Sequence, residues 1–490
     1  MTAKWWSVDH FIFEEYKPTA SSLGIYRVLF SAYILLDVLP RHLWITNFPD
    51  SFFDPPIGLT LFFTGFPGPR FFLVVNGLAI IATVCLLFGY RTRVSSISLA
   101  LLLLVSNYWA YSLSKIDHDI LLILVPLIMQ QAGWGNAYSM DAKRLASDGG
   151  MQGETNAWPL SLMALMVGMA MMTAAVPKAA SGWLDPHLHA AQAHILLNIF
   201  VTGRSTWLAK HILDVNSGVF WKFIDYATVL IEASFLLAVI RRRAFRVVLA
   251  LACFFHLGIA LSMEIVFTPN IMAYAAFVEW SALESRFGGL LSGWNWILSN
   301  LSALWVLGFG TAGAFVYLRF GNPFQIPQEL DPVGFVICAV SVLIATVFLI
   351  GLFRKSLRAP ARAVILFDGF CGLCNGWVDF VLRHDNRLIF TFAALQSPAG
   401  HEILNRFGLP PDFIDSFVLV EDGRIYYRSS AILRAFMGLG FPYSIVYAFV
   451  VIPRVLRDAI YEFVAAHRLS WFGKRNTCRV PTPEEAGRFL

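Results

Sequence analysis

The hydrophobic positions of the chain form long runs over residues 1–353 and short, alternating runs after them. An apolar run of about 20 residues is long enough to cross a bilayer as a helix. Such runs predict ten spans, at 22–40, 71–89, 95–112, 119–133, 158–177, 218–240, 245–263, 268–283, 294–319 and 333–353. Because 119–133 and 268–283 are short, they are either re-entrant or extended by polar turns.

The basic residues predict the orientation of these spans, since Lys and Arg concentrate in cytoplasmic loops. Four basic clusters interrupt the apolar runs: Arg91 with Arg93, Lys143 with Arg144, Arg241-Arg242-Arg243 with Arg246, and the run from Arg354 to Arg362. Ten spans with the N-terminus inside place all four clusters on the cytoplasmic side. The pattern therefore predicts a multi-pass protein of the cell (inner) membrane, with both termini in the cytoplasm.

After Arg362 the pattern changes to short apolar strands and amphipathic helices in the order βαβαββα, which is the order of a small thioredoxin-like sheet. The predicted strands are 363–367, 388–392, 416–420 and 424–427, and the predicted helices are 374–384, 398–407 and 429–437. Glu421-Asp422-Gly423 is a hairpin signal between the last two strands. A further apolar stretch at 441–467, interrupted by Pro453, is predicted to pack on this domain or to lie along the membrane surface.

The fold class that follows is a polytopic α-helical membrane domain of about ten spans, followed by a small α/β thioredoxin-like domain. We expect the membrane domain at residues 1–353, a basic linker at 354–362, and the thioredoxin-like domain with its C-terminal helical extension at 363–490.

Composition agrees with a membrane protein and excludes an ordinary soluble one. Hydrophobic residues make up 57% of the chain and charged residues 14%, and the mean hydropathy is +0.63. The net charge of +5 comes from basic residues beside apolar runs. We therefore expect the lipid bilayer as the partner, and no nucleic acid.

The stretch from Phe367 to Asn375 contains a C-x-x-C pair, Cys371 and Cys374, at a strand-to-helix turn. A helix dipole stabilises a thiolate at the first turn, and a thiol three residues on can resolve a mixed disulfide. Cys371 is thus the predicted attacking thiolate and Cys374 the resolving thiol, with Asp368 as a supporting residue.

Two alternatives stay open for this pair. It is half of a zinc site that Cys478 and a histidine such as His401 or His467 would complete, or it has no function. No second C-x-x-C exists in the chain, so we predict no metal.

The motif F-D-G-x-C-x-x-C-N, the helix start at Ser429-Ser430-Ala431 and the tail from Ile452 to Cys478 resemble the DCC family of predicted thiol-disulfide oxidoreductases, over about residues 362–485. The resemblance implies a thioredoxin-like fold and thiol–disulfide chemistry on a peptide or a small thiol. The chain departs from thioredoxins in one respect. Pro410 and Pro411 lie several residues before the third strand instead of directly before it, which disfavours large protein substrates.

Ionisable residues lie at the ends of two predicted spans, Asp117-His118-Asp119 before 119–133 and Lys178 to Trp183 after 158–177. The predicted topology places both on the outer side at a similar depth. A lysine at an apolar helix end can act as a base and a histidine can exchange protons. The alternatives are a snorkelling lysine, an interfacial tryptophan and a solvated loop.

His256 lies inside the predicted span 245–263, where an ionisable side chain faces either a cavity or a neighbouring helix. His187, His189 and His194 define no single face, so they do not predict a metal site. Gly308–Gly313 fits G-x-G-x-x-G, but it lies in a membrane run with no strand before it. It therefore indicates close helix packing instead of a nucleotide site.

Leu23-Gly24-Ile25-Tyr26-Arg27, Asp117-His118-Asp119, Lys178-x4-Trp183 and Phe255-His256 together resemble the horizontally transferred transmembrane (HTTM) domain, over about residues 15–320. That family includes vitamin K-dependent γ-glutamyl carboxylase. The resemblance implies that Lys178 is a base linked to hydroquinone oxygenation and that His118 supports a reactive oxyanion. The chain departs from the carboxylase in having Pro177 before Lys178 and in lacking a counterpart of its large lumenal domain.

These patterns predict a membrane-bound thiol-disulfide oxidoreductase whose cytosolic C-x-x-C domain is coupled to a quinone- or lipid-type substrate pocket around His118 and Lys178. Since the two predicted sites lie on opposite faces of the membrane, a quinone or hydroquinone would have to connect them. One alternative is carboxylase-like, oxygen-dependent modification of an exported peptide. A second is a non-enzymatic transporter or redox-sensing scaffold.

Overall fold

The computed structural model describes most of the chain in two compact units, Met1–Leu349 and Ile350–Leu490. The described residues are 7–54, 59–113, 119–149, 153–203, 205–284, 286, 288–321, 331–356, 362–410, 417–421, 423–440, 442–451, 454–473, 479, 481–483 and 485–490.

The first unit is built from α-helices that pack around an apolar core. The described helices are α1 (Val8–His10), α2 (Ala20–Tyr33), α3 (Pro69–Phe88), α4 (Thr92–Ala110), α5 (Ile120–Met129), α6 (Met140–Ser147), α7 (Trp158–Ala180), α8 (Ala190–Thr202), α9 (Trp207–Leu213), α10 (Gly218–Ala238), α11 (Arg242–Met263), α12 (Thr268–Ala275), α13 (Gly288–Asn300), α14 (Ala303–Phe320) and α15 (Pro332–Ser356).

Within the described residues, seven helical segments are long and apolar enough to cross a membrane. They are Ala20–Asn47, Pro69–Phe88, Thr92–Ala110, Trp158–Ala180, Arg242–Met263, Ala303–Phe320 and Pro332–Leu352. The predicted class of fold is confirmed, and the described part of the chain contains seven such segments where the sequence predicts about ten spans. The helix α10 has the length of a span, but it carries Lys222, Asp225 and Glu232.

Three predicted spans differ from the structure. Of the two short ones, α5 has ten residues and α12 has eight, so neither is a full span. The predicted single span 294–319 is wrong, because α13 ends at Asn300 and α14 begins at Ala303. The hydroxyl of Ser302 accepts a hydrogen bond from the Trp305 N–H at 3.4 Å and so starts the second helix.

The Leu23–Arg27 motif ties the first long helix to distant parts of the unit. A Cβ on Gly24 would lie 2.5 Å from the Ala137 carbonyl oxygen, so only glycine permits this approach. Tyr26 donates its hydroxyl to the Met272 carbonyl at 2.9 Å. The buried Arg27 guanidinium donates to the Leu86 carbonyl near the end of α3 at 3.3 Å and to the Tyr138 carbonyl at 2.6 Å. These contacts satisfy orphan carbonyls in the core and explain the motif by packing.

The glycine-rich stretch at 308–313 lies within α14 and packs against α3. A Cβ on Gly310 would lie 3.3 Å from the Ile81 Cα. The stretch therefore serves close helix packing, as the sequence predicts.

The second unit contains a four-stranded sheet in the order β2-β1-β3-β4. Its strands are β1 (Ala363–Phe367), β2 (Phe390–Ala394), β3 (Val418–Glu421) and β4 (Arg424–Tyr427), and its helices are α16 (Gly372–His384), α17 (Pro398–Arg406), α18 (Ser429–Leu439) and α19 (Arg454–Phe472). A 3₁₀ segment covers Tyr443–Val451. The central strand β1 pairs parallel with β2 and antiparallel with β3, and β3 pairs antiparallel with β4.

The predicted order βαβαββα is confirmed, with the second and third strands each starting two residues later than predicted. Parallel β1 and β2 need a crossover, which α16 provides. The C-x-x-C motif consequently lies at the carboxyl end of the central strand, where α/β sheets usually bind ligands.

The helix α19 is fixed against this unit by polar contacts along one side. The Tyr461 hydroxyl accepts a hydrogen bond from the Phe417 N–H at 2.8 Å, just before β3. Asp458 accepts a hydrogen bond from the Ser429 hydroxyl at the start of α18, and within α19 itself it pairs with Arg454 at 3.1 Å. These contacts fix the course of α19, and its C-terminal end lies against the C-x-x-C turn.

Candidate functional site

The C-x-x-C motif begins α16 directly after a loop that leaves β1. Cys371 is the N-cap residue, with extended backbone angles (φ −87°, ψ 125°). Its carbonyl accepts the Asn375 N–H at 3.1 Å, and its own N–H donates to the Asp368 carbonyl at 3.3 Å. The Cys371 side chain therefore stands at the positive end of the helix, as predicted.

The loop before Cys371 is held by two side chains that bond to its backbone. Asp368 accepts the Phe370 N–H at 3.0 Å and the Gln396 side-chain amide at 2.9 Å. Gln396 in turn accepts the Gly369 N–H at 3.1 Å. Asp368 thus supports the turn geometrically.

Asn375 closes the same turn from inside the helix. Its side-chain amide donates to the carbonyls of Gly369 and Cys371, at 2.9 and 2.8 Å. Two buried carbonyls in the turn are therefore satisfied by one side chain.

The two thiols have opposite pKa shifts. A hydrogen bond from the Cys374 thiol lowers the pKa of Cys371 to about 6, and the backbone N–H groups of Leu373 and Cys374 and the charge of Arg468 act in the same direction against burial. The pKa of Cys374 is raised, first by its hydrogen bond to Cys371 and then by burial. Near neutral pH the pair is thus a Cys371 thiolate beside a Cys374 thiol.

The sequence reasoning missed Arg468 and Gln396. Arg468 lies on α19 and contacts the Asp368 carboxylate at 3.6 Å, whereas Gln396 follows β2. Each reaches the turn through tertiary structure, and the local motif carries no signal for either.

The turn that holds Cys371 packs against the end of α19. Cys371 is 0% exposed, while Cys374 is half-buried. The Gly372 N–H donates to the Gly473 carbonyl at 3.1 Å, and a Cβ on Gly372 would lie 2.1 Å from the Phe472 carbonyl oxygen. The end of α19 thus packs on the turn that holds the buried Cys371.

The zinc alternative depends on Cys478 and on a histidine such as His401 or His467. Cys478 lies outside the described residues, while His401 lies on α17 and His467 on α19. The His467 ring stacks on Trp471, with centroids 5.0 Å apart. Within the described part of the chain, no group of three or more His, Cys, Asp or Glu side chains could hold a metal ion.

In the first unit, Lys178 forms a buried ion pair. Its Nζ lies 2.8 and 2.9 Å from the two carboxylate oxygens of Glu232, which is 4% exposed. The same Nζ lies 5.7 Å from the centroid of the Trp183 ring. The structure thus brings Lys178 and Trp183 together, and Glu232 is a partner that the sequence reasoning did not pair with them.

His256 belongs to a second buried network. Its Nε2 lies 3.0 Å from the Tyr274 hydroxyl, and that hydroxyl lies 3.6 Å from the Met171 sulfur. Met171 is on α7, two turns before Lys178. His256 therefore faces a neighbouring helix, which is one of the two predicted settings.

His118 and Asp117 lie outside the described residues, so their predicted place beside Lys178 stays a prediction. Asp119 is described and forms an ion pair with Arg41. Asp37, four residues before Arg41, accepts a hydrogen bond from the Thr268 hydroxyl at 3.4 Å. Asp119 and Lys178 thus take part in different ion pairs.

A cavity of about 710 Å³ lies between the segment after Trp183 and the start of α10. It is lined by Pro186, His187, His189, Gly218, Val219, Lys222, Phe223 and Tyr226. The Lys222 ammonium pairs with buried Asp225 at 2.8 Å and donates to the Trp183 carbonyl at 3.1 Å. Lys178 itself is not among the described residues that line this cavity.

Fold and site together define a class: a polytopic helical membrane protein that carries a thioredoxin-like C-x-x-C domain. A family model described as the HTTM domain matches residues 16–281, which is more than half of the chain, and a model described as a DCC1-like thiol-disulfide oxidoreductase matches residues 365–474. The chain belongs to the HTTM domain family and ends in a DCC1-like thiol-disulfide oxidoreductase domain.

Two relatives match this C-terminal domain. An uncharacterised Bacillus subtilis protein, YuxK, is 43% identical over 133 residues, covering 27% of this chain and 96% of the relative. A chloroplastic DCC family protein from Arabidopsis thaliana is 42% identical over 120 residues, covering 24% of this chain and 70% of the relative. No solved structure matches the chain significantly.

Proposed function

We propose that the chain is a membrane-bound thiol-disulfide oxidoreductase in which Cys371 attacks the substrate and Cys374 resolves the intermediate. The observation that carries this proposal is the cysteine pair at the N-terminus of α16, with the Cys371 pKa lowered to about 6. A thiolate is the nucleophile in disulfide exchange, and a pKa below neutrality keeps it charged in the cell.

The reaction balances within the pair and a disulfide substrate. The Cys371 thiolate attacks one sulfur of the substrate disulfide, so that a mixed disulfide forms and one substrate thiolate leaves. Cys374 then loses its proton and attacks the Cys371 sulfur, which releases the second substrate thiol. Two electrons pass to the substrate, and the domain is left with a Cys371–Cys374 disulfide.

Substrate size follows from the covering of Cys371. Because the end of α19 lies on the motif, we propose a small disulfide or a short peptide as the substrate instead of a folded protein. In the reverse direction, the oxidised pair would accept electrons from a small dithiol by the same steps.

Single serine variants of the full chain test the assignment. Cys371→Ser should abolish turnover of a small disulfide, and Cys374→Ser should accumulate a mixed disulfide on Cys371 that mass spectrometry detects. Unchanged turnover in Cys371→Ser, or a substrate adduct on Cys374 alone, would reject the assigned roles. Thermal unfolding of both variants controls for loss of fold.

For the membrane domain we propose a quinone- or lipid-type substrate in the cavity beside Trp183. Its volume of about 710 Å³ suits an amphipathic head group, and His189 and Tyr226 place polar atoms on an apolar wall. A membrane-soluble quinone would connect this cavity with the thiol domain, which we propose lies on the cytoplasmic side of the inner membrane.

Bound quinone can be sought directly by mass spectrometry of extracts from protein purified in mild detergent. Val219→Trp, which fills the cavity mouth, should lower quinone occupancy, whereas Leu304→Trp on the exposed surface of α14 should not. If the wild-type protein carries no quinone, or if both variants carry the wild-type amount, this part of the proposal fails.

The carboxylase-like alternative requires Lys178 to act as a base, and the contacts favour a structural role instead. Its ammonium is engaged by Glu232 and Trp183 and does not line the cavity. Removing one partner of a buried ion pair costs about 3–5 kcal/mol, because the other charge stays buried alone.

Lys178→Ala should therefore lower the melting temperature of the detergent-solubilised protein strongly. The double variant Lys178→Ala with Glu232→Ala should recover much of that loss. Equal melting temperatures for wild type and Lys178→Ala would contradict the structural role and favour a role of Lys178 as a base.

A further inference from the structure

The helix α19 presents an apolar face to the outside of the second unit. Val455 and Ile460 are 80% and 65% exposed, and Leu456, Phe463 and Trp471 are also exposed. At 100° per residue these side chains fall on one side of the helix. Asp458, Tyr461 and Arg468 on the other side hold it against the domain. An apolar face of this extent on a soluble domain marks an interaction surface.

The neighbouring 3₁₀ segment extends this face. Phe449 and Val450 in Tyr443–Val451 are exposed, directly before α19 in the chain. We call the exposed side chains of Phe449, Val450, Val455, Leu456, Ile460, Phe463 and Trp471 the apolar face of the thiol domain.

A basic pocket adjoins the apolar face. Its volume is about 350 Å³, and it is lined by Ile425, Tyr426, Tyr427, Ser430, Leu433, Arg434, Tyr447, Val450, Arg454 and Arg457. Three of these described lining residues are arginines: Arg434 pairs with Glu421, Arg454 pairs with Asp458 at 3.1 Å, and Arg457 donates to the Ser429 hydroxyl at 3.2 Å. The Arg434 and Arg454 guanidinium groups lie 4.4 and 5.4 Å from the ring centroids of Tyr426 and Tyr427, which orients them. Since a guanidinium has five N–H donors, each of these arginines keeps further donors with which it can bind a phosphate oxygen.

The chain itself limits which partner can reach this surface. The helix α15 ends at Ser356 and β1 begins at Ala363. The six intervening residues span at most about 25 Å when extended. A domain tethered this closely to a membrane-spanning helix meets a lipid surface at a high effective concentration.

We propose that the apolar face of the thiol domain docks on an anionic phospholipid surface, with a head-group phosphate in the arginine pocket. Apolar side chains enter the boundary between head groups and acyl chains, as in interfacial amphipathic helices, and the arginines stay at head-group level. Since the end of α19 also lies against the turn that holds Cys371, docking would bring the thiol site to the level at which lipid-soluble substrates enter. The docking itself does not depend on the thiol chemistry.

Spin labels on the full chain test this proposal. The starting variant replaces Cys371, Cys374 and Cys478 by serine, and its unlabelled background is measured first. Labels are then attached at Val455→Cys, Ile460→Cys and, as a control on exposed α17, Glu402→Cys. Each protein is reconstituted in nanodiscs of phosphatidylglycerol or of phosphatidylcholine. Collision with oxygen, which concentrates in lipid, is compared with collision with a water-soluble nickel chelate.

In phosphatidylglycerol the ratio of oxygen to nickel collisions should be several-fold higher at 455 and 460 than at 402. In phosphatidylcholine the difference should shrink markedly. Arg457→Gln should shift the phosphatidylglycerol result toward the phosphatidylcholine one, with the circular dichroism spectrum unchanged.

Three outcomes would overturn the proposal. If nickel collisions at 455 and 460 are as frequent as at 402, the apolar face of the thiol domain is exposed to water and not to lipid. If the labels at 455 and 460 are protected from both oxygen and the nickel chelate, the apolar face of the thiol domain is covered by protein. If the ratio of oxygen to nickel collisions at 455 and 460 changes neither with lipid charge nor with Arg457→Gln, no head-group phosphate binds in the arginine pocket. None of these outcomes bears on disulfide exchange, which is measured separately with the wild-type thiols.

Discussion

At the scale of single residues, the reactivity of Cys371 is assembled from three parts of the chain. The motif itself predicts a cysteine at the start of a helix, because F-D-G-x-C-x-x-C combines a strand end, a turn and a helix start. The contributions of Arg468 and Gln396 are different, since each comes from a distant element. A linear pattern carries no information on which distant side chain will reach a turn.

Arg468 should help to keep Cys371 charged. Its positive charge lowers the pKa of Cys371, so Arg468→Gln should raise that pKa above about 6, while Arg468→Lys should keep most of the effect. The rate of Cys371 alkylation as a function of pH, followed by mass spectrometry, reports this pKa. If the midpoint is the same in wild type and Arg468→Gln, the guanidinium has no electrostatic role at the site.

Other signature residues have structural explanations. Gly24 and Arg27 were noted in the sequence only as part of a family resemblance, and the structure shows a close backbone approach and a buried guanidinium that bonds to two carbonyls. Lys178 likewise has a partner, Glu232, that lies on another helix. Pairings of this kind follow from helix packing, which the spacing of apolar residues does not specify.

At the scale of elements, α16 packs against the end of α19, and we expect this contact to limit access to Cys371. It is made at Gly372, where a side chain has no room. Gly376 lies one turn further along the same helix, and a Cβ there meets nothing within 4 Å. The two glycines are thus a matched pair for testing the contact.

Gly372→Ala should displace the end of α19 and expose Cys371. Alkylation of Cys371 by a bulky maleimide should become faster, and the melting temperature should fall. Gly376→Ala should instead stabilise the helix by about 0.5–1 kcal/mol and leave alkylation unchanged. Equal alkylation rates in the two variants would mean that the end of α19 does not limit access.

The predictions of helices and strands succeed where apolar positions repeat with one regular spacing, and they fail where a polar residue interrupts the apolar run. The element order βαβαββα follows from alternating strands and short helices, and it is confirmed. The predicted span 294–319 fails because Ser302 caps a new helix within an apolar run. Hydropathy averages over such a break, whereas capping depends on one hydroxyl and its local backbone.

At the scale of the whole molecule, the chain combines a membrane domain of the HTTM family with a DCC1-like thiol domain. The combination could be predicted from the sequence, because each domain carries its own motifs. The number of spans could not, since the short helices α5 and α12 have the composition of spans without the length.

The predicted orientation can be checked by sided labelling of cysteines. In intact spheroplasts, Lys210→Cys, in the segment predicted to be outside, should react with a membrane-impermeant maleimide. Glu402→Cys, in the thiol domain, should react only after the inner membrane is permeabilised. Both positions are exposed in the structure, so burial does not limit the reaction. The reverse pattern would place the thiol domain outside and contradict the predicted topology.

The central claim is that Cys371 is the attacking thiolate although its side chain is fully covered in the structure. The most direct test is to alkylate the reduced full-length protein with iodoacetamide over a range of pH and to assign the modified cysteine by mass spectrometry. A group with a lowered pKa loses its thiolate only as the pH falls through that value. We therefore expect modification of Cys371 with a midpoint near pH 6, and a higher midpoint in Cys374→Ala, which lacks any side-chain donor. Modification of Cys374 first, or a midpoint near the ordinary thiol value of about 8.5, would contradict the account.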